Sequence, residues 1–459
     1  MGLDSAAYPI WHAGPATLSH NQDRMMSLPD FIQSLKILDT HEHLAGCEAD
    51  YLELKKDILQ DILCSYIQSD LISAGMSAAE MKRALDVRLT LPERWNLVSP
   101  FWEYVRFTGY GQMASEGIQD LLDAQLGRDS ILEINERYHH LMNDHPYQRI
   151  IKEKCGINLA LLDKIVPHPD LGIVTNILDS DHPVDADFFR CVYHLDNFIF
   201  PQVYNEIRFL EQRQNQSISC LNDWVSCCYM CIQNAIQKGV VGFKLALAYK
   251  RSLNFPYVAR AEAERDFQDI IRNRKDISWE PMAMQVSEKV QNYLLHEILE
   301  FVRESRLPIQ IHTGLQAGNA NFIGNANPLL LNDLFVQYPE VNFILLHTSI
   351  PFTKEASLLV KMYPNVFMDA SWVHVISPQD IIIAMQEWAE MLPVNKIMAF
   401  GGDLSSLICL YGHQKIARIN LMRAFELILN KGVLSMKDAE AIVSSWLTTN
   451  PKTIFNLSV

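Results

Sequence analysis

No uninterrupted apolar run in the chain reaches the roughly 20 residues that a membrane-spanning helix needs, so no integral membrane segment is expected. A basic surplus is missing as well. Lys and Arg number 39 against 54 Asp and Glu, a net charge of -15, which argues against a general binder of nucleic acid or anionic membranes. Residues 1–28 lack the basic stretch and continuous apolar run of a secretory signal. The nine cysteines are odd in number and scattered, apart from Cys227, Cys228 and Cys231 in the apolar stretch WVSCCYMCIQNAI. No second Cys or His pair stands near that cluster, so buried thiols are expected rather than a zinc knot, and a reducing cytoplasm is the expected compartment. No internal repeat, low-complexity tract or long Pro/Gly linker divides the sequence, and one elaborated domain over residues 1–459 is expected.

What the chain does have is KILDTHEH, residues 36–43. It reads as a short buried strand ending in two histidines one residue apart. Side chains at i and i+2 of a strand share a face, so His41 and His43 project together while Glu42 points away. Two imidazoles at a strand's C-terminal end make half of a metal site.

Similar Val/Ile/Leu/Phe-rich runs recur at 157–162 (INLALL), 197–201 (NFIFP), 240–249 (VVGFKLALAY), 307–312 (LPIQIH), 341–347 (VNFILLH), 365–371 (NVFMDAS) and 396–403 (KIMAFGGD). Continuous apolar runs of this length suit strands buried on both faces, and helical segments separate them. Eight strands alternating with helices predict an α/β fold, a (β/α)8 TIM barrel whose function gathers at the strands' C-terminal ends. From about residue 50 to 150 the apolar spacing is three and four instead of two, which predicts a large helical cap inserted after strand one, with Ser77 as one N-cap. Arg94, Trp95, Trp102, Arg106, Tyr138, His139 and His140 lie in this region.

The polar residues close these strands in a regular way. Strand one ends in His41 and His43, strand four carries Lys244, strand five ends in His312, strand six in His347 and strand eight in Asp403. Barrel closure would bring those ends together. Three imidazoles and a carboxylate suit Zn²⁺, with Mn²⁺, Fe²⁺ and Ni²⁺ open. Open positions on such an ion bind water and lower its pKa, and Asp403 beside it can take the proton and pass it on. Tyr249 and Arg251 follow strand four, where an Arg can clamp a carboxylate. Trp372 and His374, just past strand seven, are placed to wall a pocket. Asn319 and Asn321 sit in the polar loop after strand five, and His413 is expected to be structural.

This pattern resembles the amidohydrolase superfamily, with H-x-H on strand one, His on strands five and six, and Asp on strand eight. The phrases FKLALAYKRSL, LPIQIHTGLQAGNAN, FILLHTSIPFTKEASLL, YPNVFMDASW and NPKTIFNL are similar to its amidohydrolase-2 branch. Within that branch they resemble barrels found alone or fused to glutamine synthetase-like domains, and more loosely uronate isomerases. The likeness covers about residues 30–50 and 235–457. It implies His41, His43, His312 and Asp403 as metal ligands, and His347 as a second-metal ligand or a group polarising the substrate. Lys244 would either be carboxylated and bridge two ions or neutralise a substrate carboxylate; one ion is favoured. Ser405 and Ser406 depart from the residues that recur after the Asp in hydrolases.

The resulting expectation is a metal-dependent hydrolase of an amide or related bond in a small, carboxylate-bearing substrate. Asp403, His347 and Lys244 would be its catalytic groups, with Arg251, Tyr249 and Trp372 against the substrate. The alternatives are uronate isomerase-like or decarboxylase chemistry at the same site, and a barrel that only binds. Self-association is left open.

Overall fold

The computed structural model describes residues 26–127, 129–201, 203–272 and 286–458. Residues 1–25, and residues 273–285 between the runs expected as strands four and five, lie outside the described residues. Eight parallel strands form one sheet in sequential order. They are β1 (Ile37–Glu42), β2 (Ile157–Leu162), β3 (Phe189–His194), β4 (Gly242–Leu245), β5 (Ile309–Ile311), β6 (Phe343–Leu345), β7 (Val366–Asp369) and β8 (Ile397–Met398). Each pairs with the next in parallel register, from Ile37 opposite Ile157 to Met398 opposite Asp369. Such neighbours need a crossover between them, and the chain supplies helices for most of these connections.

Seven of the eight strands fall within or across the runs expected from sequence; the third does not. NFIFP forms the short helix Asp196–Ile199, and FRCVYH at 189–194 is the strand that pairs with β2 and β4. A four- or five-residue apolar run suits either state, and here the Asp196 carboxylate accepts the Ala246 amide at 2.8 Å, fixing the chain at the end of β3 in a turn. Between β2 and β3 a small antiparallel pair, Ile165–Pro167 with Val174–Asn176, stands outside the barrel sheet.

Helices from Glu48–Leu54 to Tyr147–Lys154 fill the interval between β1 and β2. The cap opens on three short helices, Glu48–Leu54, Ile58–Leu63 and Ile67–Ser73, with the side chains of Cys47 and Asp57 capping the first two. Ser77 does cap the helix Ala78–Ala84, in a reciprocal capping box with Glu80. Arg94 is buried in an ion pair with Asp57 and so ties two cap helices together, while Trp95 packs on Trp102 of its own helix, Leu91–Val105. The barrel interior is closed by Leu38, Leu159, Leu161, Val192, Ile344, Phe367 and Met398, with Phe455 and Leu457 from the end of the chain.

Candidate metal centre

The barrel closes where β8 meets β1, and at the mouth that seam is held largely by side chains. Thr40 donates its amide to the Phe400 carbonyl at 3.2 Å, and the Asp403 amide donates to the His41 carbonyl at 2.7 Å. One oxygen of Asp39 accepts the amides of His41 (3.1 Å) and Gly402 (2.9 Å). One oxygen of Glu42 accepts those of His43 (2.8 Å) and Leu404 (2.7 Å). Burial pushes both acids up, Asp39 to about 8 and Glu42 well above the carboxylate range. Gly402 is required by close approach, since a Cβ there would lie 2.1 Å from Glu42 Oε2. Asp403 follows with φ 55°, and His347, Thr348, Ser349 and Trp372 also have positive φ. Backbone strain thus collects at the ends of β6, β7 and β8, as it does at functional sites.

Across the seam the donor atoms of His41, His43 and Asp403 lie within 4.8 Å of one another. His43 Nδ1 lies 2.6 Å from the Asp163 carbonyl, which can only accept, so this nitrogen carries the proton. The other nitrogen, Nε2, is 3.0 Å from Asp403 Oδ1. A lone pair facing a carboxylate oxygen at that distance demands a cation between or upon them. Burial opposes protonation of His43, yet Asp403 and Asp163 hold it above its ordinary value. Burial likewise acts to raise Asp403, but His41, His347 and His43 hold it well below the carboxylate range. A proton or a divalent ion fits this spot, and two imidazoles with one carboxylate are a donor set for the latter.

His41 Nε2 also meets Lys244 Nζ at 2.9 Å, and Lys244 lies 3.5 Å from Asp163 Oδ2. Burial and then Lys244 drive His41 well below its usual pKa, so its ring is neutral. Asp163 is held below the carboxylate range despite burial, by Lys244 and then by His194, His43 and His41. Lys244 and Asp163 are therefore a buried, mutually compensating pair.

The β5/β6 side is organised differently. His312 Nε2 donates to the Leu315 carbonyl at 2.9 Å, leaving Nδ1 to accept from His347 Nε2 at 3.0 Å. Both His312 nitrogens are engaged by protein, and His312 is not among the three clustered donors. His347 Nδ1 is 3.2 Å from Ser371 Oγ and 3.4 Å from Asp403 Oδ2. Burial depresses both rings, His347 to about 4, so they are neutral at pH 7.

A cavity of about 420 Å³ opens over these groups, lined among others by His41, His43, Asp163, His194, Lys244, Tyr249, His312 and Asp403. Tyr66, from the cap, donates its hydroxyl to Asp403 Oδ1 at 2.7 Å and stacks on Trp372 with centroids 4.0 Å apart. Trp372 in turn meets His347 edge-on at 5.4 Å. Tyr249 packs on His312 at 4.6 Å, and its hydroxyl accepts the Ala317 amide.

Arg251 lies elsewhere. Its guanidinium donates to the carbonyls of Ser252 and Asn254 and to Gln291, sits over the Phe255 ring, and is not among the lining residues. With each of its three nitrogens bonded to protein and the side chain outside the cavity lining, it is not placed to clamp a substrate carboxylate there. Asn321 bonds within its own loop to Ala317, whereas Asn319 reaches the Ser69 carbonyl and ties that loop to the cap. Ser405 lines the cavity, while Ser406 caps the helix Leu407–Asn430. His413 and His374 bond to the carbonyls of Gly402 and Ala399. Sequence reasoning missed Asp163, His194 and Tyr66. The first two close β2 and β3, so the strand-end rule that found His312 applies to Asp163 after the run at 157–162 and would have found His194 once β3 was placed. Tyr66 carries no local signal.

The amidohydrolase family model matches residues 259–457. Protein fluG of Emericella nidulans is 32% identical over 168 residues, 35% of this chain, and the chain spans only 19% of the length of that relative. Among solved structures, uronate isomerase of Thermotoga maritima superposes with a TM-score of 0.73 at 15% identity, covering 93% of this chain and 96% of that one. A Lactobacillus casei protein put forward as a metal-dependent hydrolase gives 0.64 at 17% identity, covering 94% and 97%. At these identities the likeness is one of fold. No described helix is long and apolar enough to cross a membrane. With the family match over β5 to β8, an eight-stranded parallel barrel and a His-His-Asp cluster at its mouth, the chain is similar to hydrolase-type enzymes of the amidohydrolase family.

Proposed function

We propose that this enzyme hydrolyses an amide or related C–N bond in a small, carboxylate-bearing substrate, using one divalent ion, Zn²⁺ by preference, held by His41, His43 and Asp403. The observation that carries the reading is the 3.0 Å approach of His43 Nε2 to an ionised Asp403, with the His43 proton committed to the Asp163 carbonyl on the far side of the ring. A bound divalent ion supplies Lewis acidity there, lowering the pKa of water and polarising a carbonyl. Asp403, kept ionised by the histidines around it, takes the proton of the attacking water and returns it to the leaving nitrogen. Tyr66 orients that carboxylate through its hydroxyl. His312 meets the cavity as an uncharged group, and His347, buried behind it and outside the lining, holds its ring through the 3.0 Å bond. Lys244, in place of Arg251, is the cation lining the cavity and the group to meet a substrate carboxylate. Asp163 balances its charge, which supports an uncarboxylated lysine and a single ion.

A second reading, isomerisation of a uronate by proton transfer, is favoured by the extent of the fold likeness to uronate isomerase, which takes in 93% of this chain, cap included. The two readings separate on products. Purified protein of measured metal content is incubated in parallel with a γ-glutamyl amide, a uronate and an aromatic carboxylate. Release of amine from the amide, abolished in Asp403→Asn, is the expected result. Turnover of the uronate alone would replace the first reading with the second, and an ion content far below one per chain would leave only a binding barrel.

A further inference from the structure

The residues that bridge the seam are as ordered as the donors they carry. Asp39 and Glu42 are both on β1 and both buried, at 1% and 0% exposure. Each uses a single oxygen to accept two amides, one from each side of the seam. For Asp39 these are His41 on β1 and Gly402 after β8; for Glu42 they are His43 and Leu404. On β1 the two amides belong to the clustered histidines themselves. Across the seam they belong to the two residues flanking Asp403, whose own amide is fixed to the His41 carbonyl at 2.7 Å. Both contacts are shielded from water, which leaves no competitor for the amides.

We propose that Glu42, with Asp39 as its counterpart, is a positioning residue for the metal centre: its carboxylate sets the distance between the β1 imidazoles and the Asp403 carboxylate. The inference rests on the metal reading above and goes beyond it, because Glu42 touches neither ion nor substrate. Gly402 belongs to the same device, since its missing Cβ makes room for Glu42 Oε2. Residues that orient ligands in this way typically change metal affinity 10–100-fold when lost.

The test uses the full-length protein, stripped by chelation and titrated with Co²⁺, whose visible bands report ligand geometry. Glu42→Gln keeps an oxygen acceptor of the same reach and should bind Co²⁺ within about threefold of wild type with the same bands. Glu42→Asp, one methylene shorter, cannot span both amides and should bind at least about tenfold more weakly with altered bands, as should Glu42→Ala. Melting temperatures of the stripped proteins accompany each titration. Wild-type affinity and bands in folded Glu42→Asp or Glu42→Ala would overturn the proposal and leave Glu42 a brace of the core. Should both fail to fold, Gly402→Ala decides, because its Cβ would displace Glu42 Oε2: weaker Co²⁺ binding with altered bands in the folded protein supports the clamp, and wild-type affinity and bands overturn it. A wild-type protein that takes up no Co²⁺ overturns the metal reading itself, which is a separate outcome.

Discussion

His43 and His312, on opposite sides of the barrel mouth, are treated in opposite ways. On the β1/β8 side, His43 gives its proton to a backbone carbonyl and turns its other nitrogen toward Asp403. On the β5/β6 side, His312 also gives a proton to a carbonyl, but its other nitrogen is taken by His347. The same residue type at the same kind of strand end is thus a free donor in one place and an engaged one in the other. Which carbonyl lies beside the ring, and which ring lies beyond it, decides between them. Strand-end position gathers histidines; it does not assign their work.

Metal analysis of two variants gives the sharpest test of that difference. His43→Ala should lose the ion, with content falling below about a tenth per chain, and turnover dropping at least roughly 10³-fold, since several kcal/mol of transition-state stabilisation goes with it. His312→Ala should keep its ion and lose roughly 10²–10⁴ in turnover, the scale of a lost acid–base or hydrogen-bonding group. Equal metal loss in both would erase the comparison and make His312 a ligand in the loaded enzyme.

A smaller effect belongs to the cap. Tyr66 brings the only cap hydroxyl seen on Asp403 among the described residues. Its bond is to a charged acceptor, worth about 1.5–3 kcal/mol. Tyr66→Phe should therefore lower kcat about 10–100-fold while leaving metal content and KM within about twofold. A fall in metal content would show that the hydroxyl holds the ligand and not the chemistry, moving Tyr66 to the same category as Glu42.

The difference between the two sides also marks what could be read in the sequence. The barrel, seven of its strands and the polar groups gathered at the ends of β1, β5, β6 and β8 were legible because each is local: an apolar run bounded by a breaker, ended by a polar residue. NFIFP failed because a short apolar run does not distinguish strand from helical turn, and His194 was lost along with the placement of β3, whereas Asp163 directly follows the β2 run and was open to the strand-end rule. Arg251 looked free because sequence cannot show that Ser252, Asn254 and Gln291 already hold its donors. Tyr66 reaches Asp403 across 337 positions, a pairing that only folding creates. The engagement of His312 is of the same kind, since it depends on two neighbours brought by a turn and by the adjacent strand.

The weakest expected effect probes how the cap backs the β1/β8 side. Tyr51 donates its hydroxyl to Asp61 at 2.6 Å and accepts the Leu407 amide at 2.9 Å, so the cap holds the loop that follows Asp403. Burial pushes the Asp61 carboxyl up to about 6, against the pull of Lys55 and the Tyr51 hydroxyl. The folded chain therefore keeps this proton to higher pH than the unfolded chain, whose carboxyl titrates near 3.8. The stability it contributes is full below about pH 4 and is lost as pH rises through about 6. At about 1.4 kcal/mol per pKa unit the loss is at most about 3 kcal/mol. Asn cannot ionise yet still offers Tyr51 an acceptor, so Asp61→Asn should match wild type in melting temperature near pH 4 and exceed it by a few degrees at pH 7. A difference that stays flat from pH 4 to pH 7 would mean that Asp61 does not titrate in that range, and that the cap rests on the seam without any pH-dependent strain.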